Sequence, residues 1–149
     1  KGKSINLKKG QFLSPNDVEK IVLKIKSTGN NNITITERGT CFGYRDLMVD
    51  PRSFLILKKL NYPVFFDVGH SVRKNGFPSS NIKDGGQKEF GETYARSAIS
   101  NFVDGLFIEV HPDPKNAKCD AATQFSFSEF ENLMNNVKPL WDFVNSDKI

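Results

Sequence analysis

Chargeable side chains stand where the apolar runs of this sequence end. A cation at such a position can bind phosphate or carboxylate, whereas an imidazole or a carboxylate can move protons or hold a metal ion. The end positions, in chain order, are Lys8 with Lys9, Glu37 with Arg38, Asp67 with His70, and Glu109 with His111.

The cations Lys8 and Arg38 suit an anionic ligand. A guanidinium presents a planar fork of donors to two oxygens, and an ammonium adds a compact positive charge. If Lys8 and Arg38 converge, they predict a site for a phosphate or a carboxylate group.

The second group consists of His70, Glu109 and Asp120. One imidazole and two carboxylates are able to ligate a divalent metal ion, and they are equally able to act as general acids and bases. The residue types alone leave both alternatives open.

The periodicity of the sequence predicts alternating strands and helices, because apolar residues recur with period two in some segments and with helical spacing in others. Parallel strands joined by helical crossovers follow from that alternation, so the fold class is α/β. The carboxyl ends of parallel strands share one edge of the sheet, where α/β proteins bind ligands. Strands are predicted at 4–9, 32–38, 63–68 and 105–110, and helices at 14–30, 51–60, 87–102 and 127–146.

Both a doubly wound sheet and a (β/α)₈ barrel fit this alternation. Eight βα units need about 250 residues, and only four units are present, so a barrel would be represented by its second half. The chain also begins close to a strand and without a methionine. We therefore expect residues 1–149 to form a single domain that is a C-terminal half-barrel, with the N-terminal half absent from this chain.

The composition of the chain limits the kinds of molecule that it is expected to bind. The 149 residues are 38% hydrophobic and 26% charged, and they contain neither an apolar run long enough to span a membrane nor a signal-peptide core. The formal net charge of +4 is spread along the chain without a basic tract, which favours small anionic ligands over nucleic acid. Cys41 and Cys119 lack metal-site spacing and are expected to be reduced thiols of a cytoplasmic protein.

The loop at 69–87 is long for a strand-to-helix connection. It contains the pair Gly85-Gly86, which could serve as a hinge or as a backbone cradle for phosphate. Either use fits a loop that closes over a substrate.

Four segments together closely resemble the second half of the 3-deoxy-D-manno-octulosonate-8-phosphate synthase family, in order and in spacing. The segments are KKGQFLSP, ERGTCFGYRDLMVDPRS, PVFFDVGHSV and GLFIEVHPDPKNAKCDAA. The resemblance implies a (β/α)₈ barrel that condenses phosphoenolpyruvate with arabinose 5-phosphate, releases inorganic phosphate, and contributes to lipopolysaccharide biosynthesis. It also implies a cytoplasmic homotetramer that acts on small phosphorylated molecules, without a nucleic-acid or membrane partner.

The same resemblance assigns roles to individual residues. Lys8 and Arg38 match the pair that holds the phosphate of phosphoenolpyruvate, and Glu37 matches the acid before that arginine. His70, Glu109 and Asp120 match the histidine and the two acids near the reacting centre, which ligate the metal ion in the metal-using branch of the family.

Metal dependence in that family is decided by a cysteine or an asparagine on the first strand, which this chain does not contain. The pair Lys118-Cys119 resembles the metal-independent branch, and it favours an enzyme that needs no cofactor. Three positions depart from the family pattern: Gly69 replaces a threonine, Asp84 replaces a serine, and Ala121 replaces the glycine of that branch.

Two alternatives to this activity remain. The related 3-deoxy-heptulosonate 7-phosphate synthases share the barrel but use erythrose 4-phosphate, and their motifs match these segments less well. A chain with an incomplete active site could instead be a non-catalytic, anion-binding half-barrel.

Overall fold

A computed structural model of the chain describes residues 2–44 and 46–146. The strands are β1 (Ile5–Lys8), β2 (Ile33–Glu37), β3 (Thr40–Cys41), β4 (Leu47–Met48), β5 (Val64–Asp67) and β6 (Gly105–Phe107). A parallel sheet has the strand order β1-β2-β5-β6, and β3 pairs with β4 in a short antiparallel hairpin. The predicted α/β class with a parallel sheet is therefore confirmed.

Helices follow the strands of the parallel sheet. They are α1 (Val18–Lys26), α2 (Arg52–Lys58), α3 (Val68–Ser71), α4 (Gly91–Ser100) and α5 (Phe127–Asn145), with 3-10 turns at Pro15–Asp17, Lys88–Phe90 and Pro114–Asn116. Among the described residues, no helix combines the length and the apolar character needed to cross a bilayer.

The predicted elements lie in the predicted places, but their ends differ for local reasons. The strand predicted at 63–68 ends at Asp67, because the Asp67 carboxylate accepts the backbone N–H of His70 and begins α3. The helix predicted at 14–30 begins with a 3-10 turn and ends at Lys26. Gly29 follows with a φ of +82°, as expected for a glycine that stops a helix.

The hydrophobic core lies between one face of the sheet and the helices. Ile33 and Ile35 of β2 and Val64 and Phe66 of β5 alternate along their strands and are buried in this core. Phe66 meets Phe54 of α2 edge to face, with ring centroids 5.7 Å apart. This packing positions the sheet against the helices, and with it the strand ends that carry the chargeable residues.

The start of α5 departs from what the apolar pattern of the last helix predicts. That pattern places Phe127 in the core together with Leu133 and Val137, but Phe127 is exposed, whereas Leu133 and Val137 are buried. Ser126 forms a capping box with Glu129 and fixes the first turn of the helix, which lies before the part of α5 that reaches the sheet.

Each outer strand of the described sheet has one hydrogen-bonded neighbour: β1 pairs with β2, and β6 pairs with β5. A groove of about 510 Å³ lies beside β6, between the sheet and α5, and Leu106, Ile108, Met134 and Trp141 contribute to its apolar wall. An open strand edge beside an apolar groove is a place where a further chain segment can pair and pack.

Candidate active site

The carboxyl ends of the parallel strands lie level with one another. Lys8 of β1 is in register with Thr36 of β2, and Asp67 of β5 is in register with Phe107 of β6. The side chains that follow these positions therefore meet at one edge of the sheet, as the sequence predicts.

Lys8 is an accessible cation whose position is fixed by two contacts. Its Nζ lies 2.6 Å from Oδ2 of Asp67, and it lies 4.0 Å from the centroid of the Phe107 ring. One third of the Lys8 side chain (33%) remains exposed, whereas Asp67 is fully buried. The ammonium is thus held in place with one side open to a ligand.

Arg38 lies just beyond β2 and is 8% exposed. Its Nη1 donates a hydrogen bond of 2.9 Å to Oε1 of Gln11, and no carboxylate of the described residues forms an ion pair with it. Burial lowers the pKa of Arg38, and the negative charge of Asp67 opposes that effect. A guanidinium bound mainly to a neutral amide keeps donors for an incoming anion.

Beneath these two cations lies a buried ion pair between Lys9 and Glu37. The side chains are 0% and 1% exposed, and Lys9 Nζ lies 3.3 Å from Oε1 of Glu37. Burial lowers the pKa of Lys9, and the charge of Glu37 counteracts this. Residue type does not distinguish Lys9 from Lys8, whereas the family resemblance assigned the phosphate to Lys8, and Lys8 is the partly exposed one of the two.

The Lys9–Glu37 pair ties together the loops that carry the accessible cations. Lys9 Nζ donates to the backbone oxygens of Gly10, Leu13 and Gly39 and to Oγ1 of Thr40, at 2.8 to 3.3 Å. Oε1 of Glu37 accepts the backbone N–H groups of Arg38 and Gly39, at 2.9 and 2.7 Å. The Glu37 carboxylate therefore holds the backbone at Arg38 in place.

His70 is oriented by Asp67. Its Nδ1 lies 2.9 Å from Oδ2 of Asp67, and its backbone N–H donates to Oδ1 at the same distance. Burial acts to raise the pKa of Asp67, but hydrogen bonding and charge from His70, with a contribution from Lys8, outweigh it and lower that pKa. An ionised carboxylate accepts the Nδ1 proton, so Nε2 of a neutral His70 presents its lone pair to the site.

Glu109 and Asp120 join His70 in a cluster. One ligand atom from each of the three residues lies within 4.8 Å of the others, and all three residues are partly buried. His70 Nε2 is 3.9 Å from Oδ2 of Asp120. The structure thus brings together the three residues that the sequence singled out, and one nitrogen with carboxylate oxygens is a donor set that fits a divalent ion.

A family profile matches the part of the sequence that forms this site. The profile of the DAHP synthetase I family covers residues 1–143. The chain belongs to the DAHP synthetase I family.

The names of individual relatives are more specific than the family profile. A protein of Geotalea uraniireducens is 46% identical over 139 residues, which are 93% of this chain and 50% of that protein. Relatives from Geobacter sp. strain M21 and Protochlamydia amoebophila are 45% and 43% identical, over 97% and 96% of this chain and 52% and 51% of their own lengths. All three are named 2-dehydro-3-deoxyphosphooctonate aldolase, another name for the octulosonate-8-phosphate synthase, so the resemblance expected from the sequence is confirmed. The chain spans about half the length of these relatives.

Some residues of this DAHP synthetase family site were not singled out by sequence reasoning. Gln11 holds Arg38, and the charge of Arg73 acts on the same guanidinium. Asp67 was noted only as a strand-end acid, although it contacts both Lys8 and His70. His111, the other histidine at a strand end, accepts the backbone N–H of Asp113 through Nδ1 and stabilises a turn.

The glycine pair in the long loop of this family member is explained by close packing. A Cβ on Gly85 would lie 2.6 Å from the backbone oxygens of Asn81 and Pro78, and a Cβ on Gly86 would lie 2.6 Å from the backbone oxygen of Ala122. The backbone N–H of Ala122 also donates to the oxygen of Ser79. The loop thus packs directly against the segment that carries Asp120.

Proposed function

We propose that this chain is the C-terminal half of a (β/α)₈ barrel that catalyses the aldol-type condensation of phosphoenolpyruvate with arabinose 5-phosphate. The products are 3-deoxy-D-manno-octulosonate 8-phosphate and inorganic phosphate. The observation that carries the proposal is a connected set of contacts at the carboxyl edge of the sheet: Asp67 joins Lys8 to His70, and His70 lies in one cluster with Glu109 and Asp120. The charges of Asp67 and Asp120 also act on Arg38. The names of the relatives support this choice of reaction, and the proposed setting is a cytoplasmic homotetramer in lipopolysaccharide biosynthesis.

In this proposal the site residues have two different roles, substrate binding and activation. Lys8 and Arg38 bind the phosphate of phosphoenolpyruvate, since both offer donors to the open edge. The reaction joins phosphoenolpyruvate to the aldehyde carbon of the sugar, adds water, and releases phosphate. His70, Glu109 and Asp120 orient or activate that water and the aldehyde, and catalysis depends on positioning and on charge stabilisation.

The same three residues would hold a divalent ion if this chain belongs to the metal-using branch. Such an ion acts as a Lewis acid that polarises a carbonyl oxygen when it is bound. The contribution of the chain itself is the orientation of His70, which Asp67 fixes through Nδ1 and the backbone.

The other half of the barrel would occupy the open edges of the sheet. In a closed barrel both outer strands gain a parallel neighbour, and the apolar groove between β6 and α5 takes the adjoining βα unit. This arrangement buries side chains such as Met134 and Trp141, which are half-buried in the chain alone.

Activity is expected only when both halves are present. We expect the 149-residue chain alone to show no turnover, because part of each substrate pocket lies in the other half. A chimera with the N-terminal half of the Geotalea uraniireducens relative is expected to release inorganic phosphate from phosphoenolpyruvate and arabinose 5-phosphate. Turnover by the chain alone would overturn the half-barrel assignment, and an inactive but folded chimera would favour the non-catalytic alternative.

The family description also supports a second candidate, the use of erythrose 4-phosphate by a heptulosonate 7-phosphate synthase. Competition between the two sugar phosphates separates the candidates when it is measured in the full-length enzyme that contains this chain, because the chimera carries part of the relative's sugar-phosphate pocket. We expect a higher kcat/KM for arabinose 5-phosphate, and a preference for erythrose 4-phosphate would reverse the assignment.

Metal removal tests the role of the cluster. Because Lys118-Cys119 resembles the metal-independent branch, we expect the full-length enzyme that contains this chain, with its own first strand, to keep its activity after exhaustive chelation. In that case His70 and the two acids handle protons or orient substrate. Loss of turnover on chelation, with recovery on adding a divalent ion, would assign the cluster to metal binding. Elemental analysis of the chelated protein is the control.

A further inference from the structure

A single buried carboxylate connects the two halves of the proposed site. Oδ2 of Asp67 lies 2.6 Å from Lys8 Nζ and 2.9 Å from His70 Nδ1, and Oδ1 accepts the His70 backbone N–H. Asp67 is fully buried, so neither water nor a surface counter-ion can replace Lys8 and His70 as its partners. The cation expected to bind phosphate is therefore already neutralised in the free protein.

We propose that Asp67 is the resting counter-ion of Lys8 and that its charge weakens phosphate binding at this site. This inference rests on the proposed function, in which Lys8 and Arg38 bind the phosphate group. In this inference Asp67 positions Lys8, and its negative charge also weakens the binding of phosphate to Lys8. Both effects come from the same carboxylate, because a group that holds the ammonium also repels an incoming anion.

Geometry gives the reason for this competition. A phosphate oxygen that approaches the exposed side of Lys8 must share the ammonium with Asp67, and the two anions then lie on either side of one cation. Repulsion between them is strong because the Asp67 side of the pair is excluded from water. Lys8 keeps a second anchor in the Phe107 ring, so removal of the Asp67 charge does not release the ammonium from its position.

Such a counter-ion suits a site that must also release phosphate. Inorganic phosphate is a product of the proposed reaction, and a pair of fully available cations would retain it. Asp67 re-forms its contact with Lys8 when the anion leaves, which favours dissociation. A carboxylate that only orients His70 would have no such effect on anion affinity.

The decisive measurement is the affinity of the chimeric barrel for inorganic phosphate, obtained by ³¹P NMR titration. Lys8, Arg38 and Asp67 all belong to this chain, and the other half completes the pocket around them. We expect Asp67→Asn to tighten phosphate binding by about 5- to 50-fold, because asparagine keeps the shape and the acceptor oxygen but removes the charge. The variant Lys8→Met/Asp67→Asn is expected to lose this gain.

Asp17→Asn is the matched control, because it removes one negative charge from an exposed ion pair with Lys20. It should leave phosphate affinity within about twofold of the unmodified chimera. Equal tightening by Asp17→Asn would overturn the proposal in favour of a general effect of net charge.

The sign of the Asp67→Asn effect separates the outcomes. Unchanged or weaker phosphate binding by the folded variant would overturn this inference and leave the proposed function standing. A chimera that binds no phosphate at all would remove the anion site itself, and the inference with it. If Asp67→Asn does not fold, a crystal structure of the unmodified chimera with phosphate decides: Lys8 Nζ should lie between the phosphate and Asp67, with its 2.6 Å contact to Asp67 lengthened. A phosphate bound away from Lys8 would refute the proposal.

Discussion

Replacement of Arg38 by alanine is expected to reduce kcat/KM for phosphoenolpyruvate by about 30- to 1000-fold in the chimeric barrel. A bidentate, charge-assisted contact to phosphate is worth about 2–4 kcal/mol, and each 1.4 kcal/mol corresponds to a factor of ten. Arg38 is placed for such a contact because its described side-chain hydrogen bond goes to the neutral amide of Gln11. Steady-state kinetics with each substrate varied in turn measure the loss.

Two controls distinguish a binding role for Arg38 from a structural one. Arg52→Ala removes an exposed guanidinium that pairs with Asp50 on the surface, and it should leave kcat/KM unchanged. The free energy of unfolding of Arg38→Ala should fall by far less than would explain the kinetic loss, because its guanidinium makes no ion pair with a described carboxylate. Unaltered kinetics for Arg38→Ala would remove this residue from the site.

The second large effect concerns stability. Lys9→Ala is expected to lower the free energy of unfolding by about 3–5 kcal/mol, because it leaves the Glu37 carboxylate buried without its cation. The substitution also removes donors to three backbone oxygens and to Thr40. Urea unfolding of the 149-residue chain, followed by circular dichroism, measures the change.

Lys20→Ala is the matched control for Lys9→Ala, since Lys20 is exposed and pairs with Asp17 on the surface. It should cost less than about 1 kcal/mol. The double variant Lys9→Met/Glu37→Gln is expected to recover most of the lost stability, because no charge stays buried and glutamine still accepts the N–H groups of Arg38 and Gly39. Equal costs for Lys9→Ala and Lys20→Ala would show that the buried pair contributes little.

Local sequence was sufficient to predict the type and order of the main elements. Val18 and Val22 have helical spacing and Ile33 and Ile35 have strand spacing, and each pair is buried as its period requires. Gly29 ends a helix because a glycine adopts the left-handed conformation without a steric cost. The short hairpin of β3 and β4 was missed, because two-residue strands carry no periodic signal.

The sequence by itself determined which residue types reach the edge of the sheet, because parallel strands must place their carboxyl ends together. On this basis Lys8, Arg38, His70, Glu109 and Asp120 were singled out, and a cluster of the last three is found in the structure. Their roles in binding and catalysis remain predictions. The family resemblance was likewise readable from the linked motifs alone and is confirmed by the relatives.

The family resemblance pointed to Lys8 rather than Lys9, but only the tertiary structure shows the physical reason for the difference between these two neighbours. Lys8 and Lys9 are adjacent and chemically alike, yet Lys8 is partly exposed beside Asp67 and Lys9 is buried beside Glu37. The difference arises because successive side chains leave a strand on opposite faces and meet partners that are 28 or more residues away in the chain. The burial of Asp67, and therefore its contact with both halves of the site, depends on the same long-range packing, which no local pattern encodes.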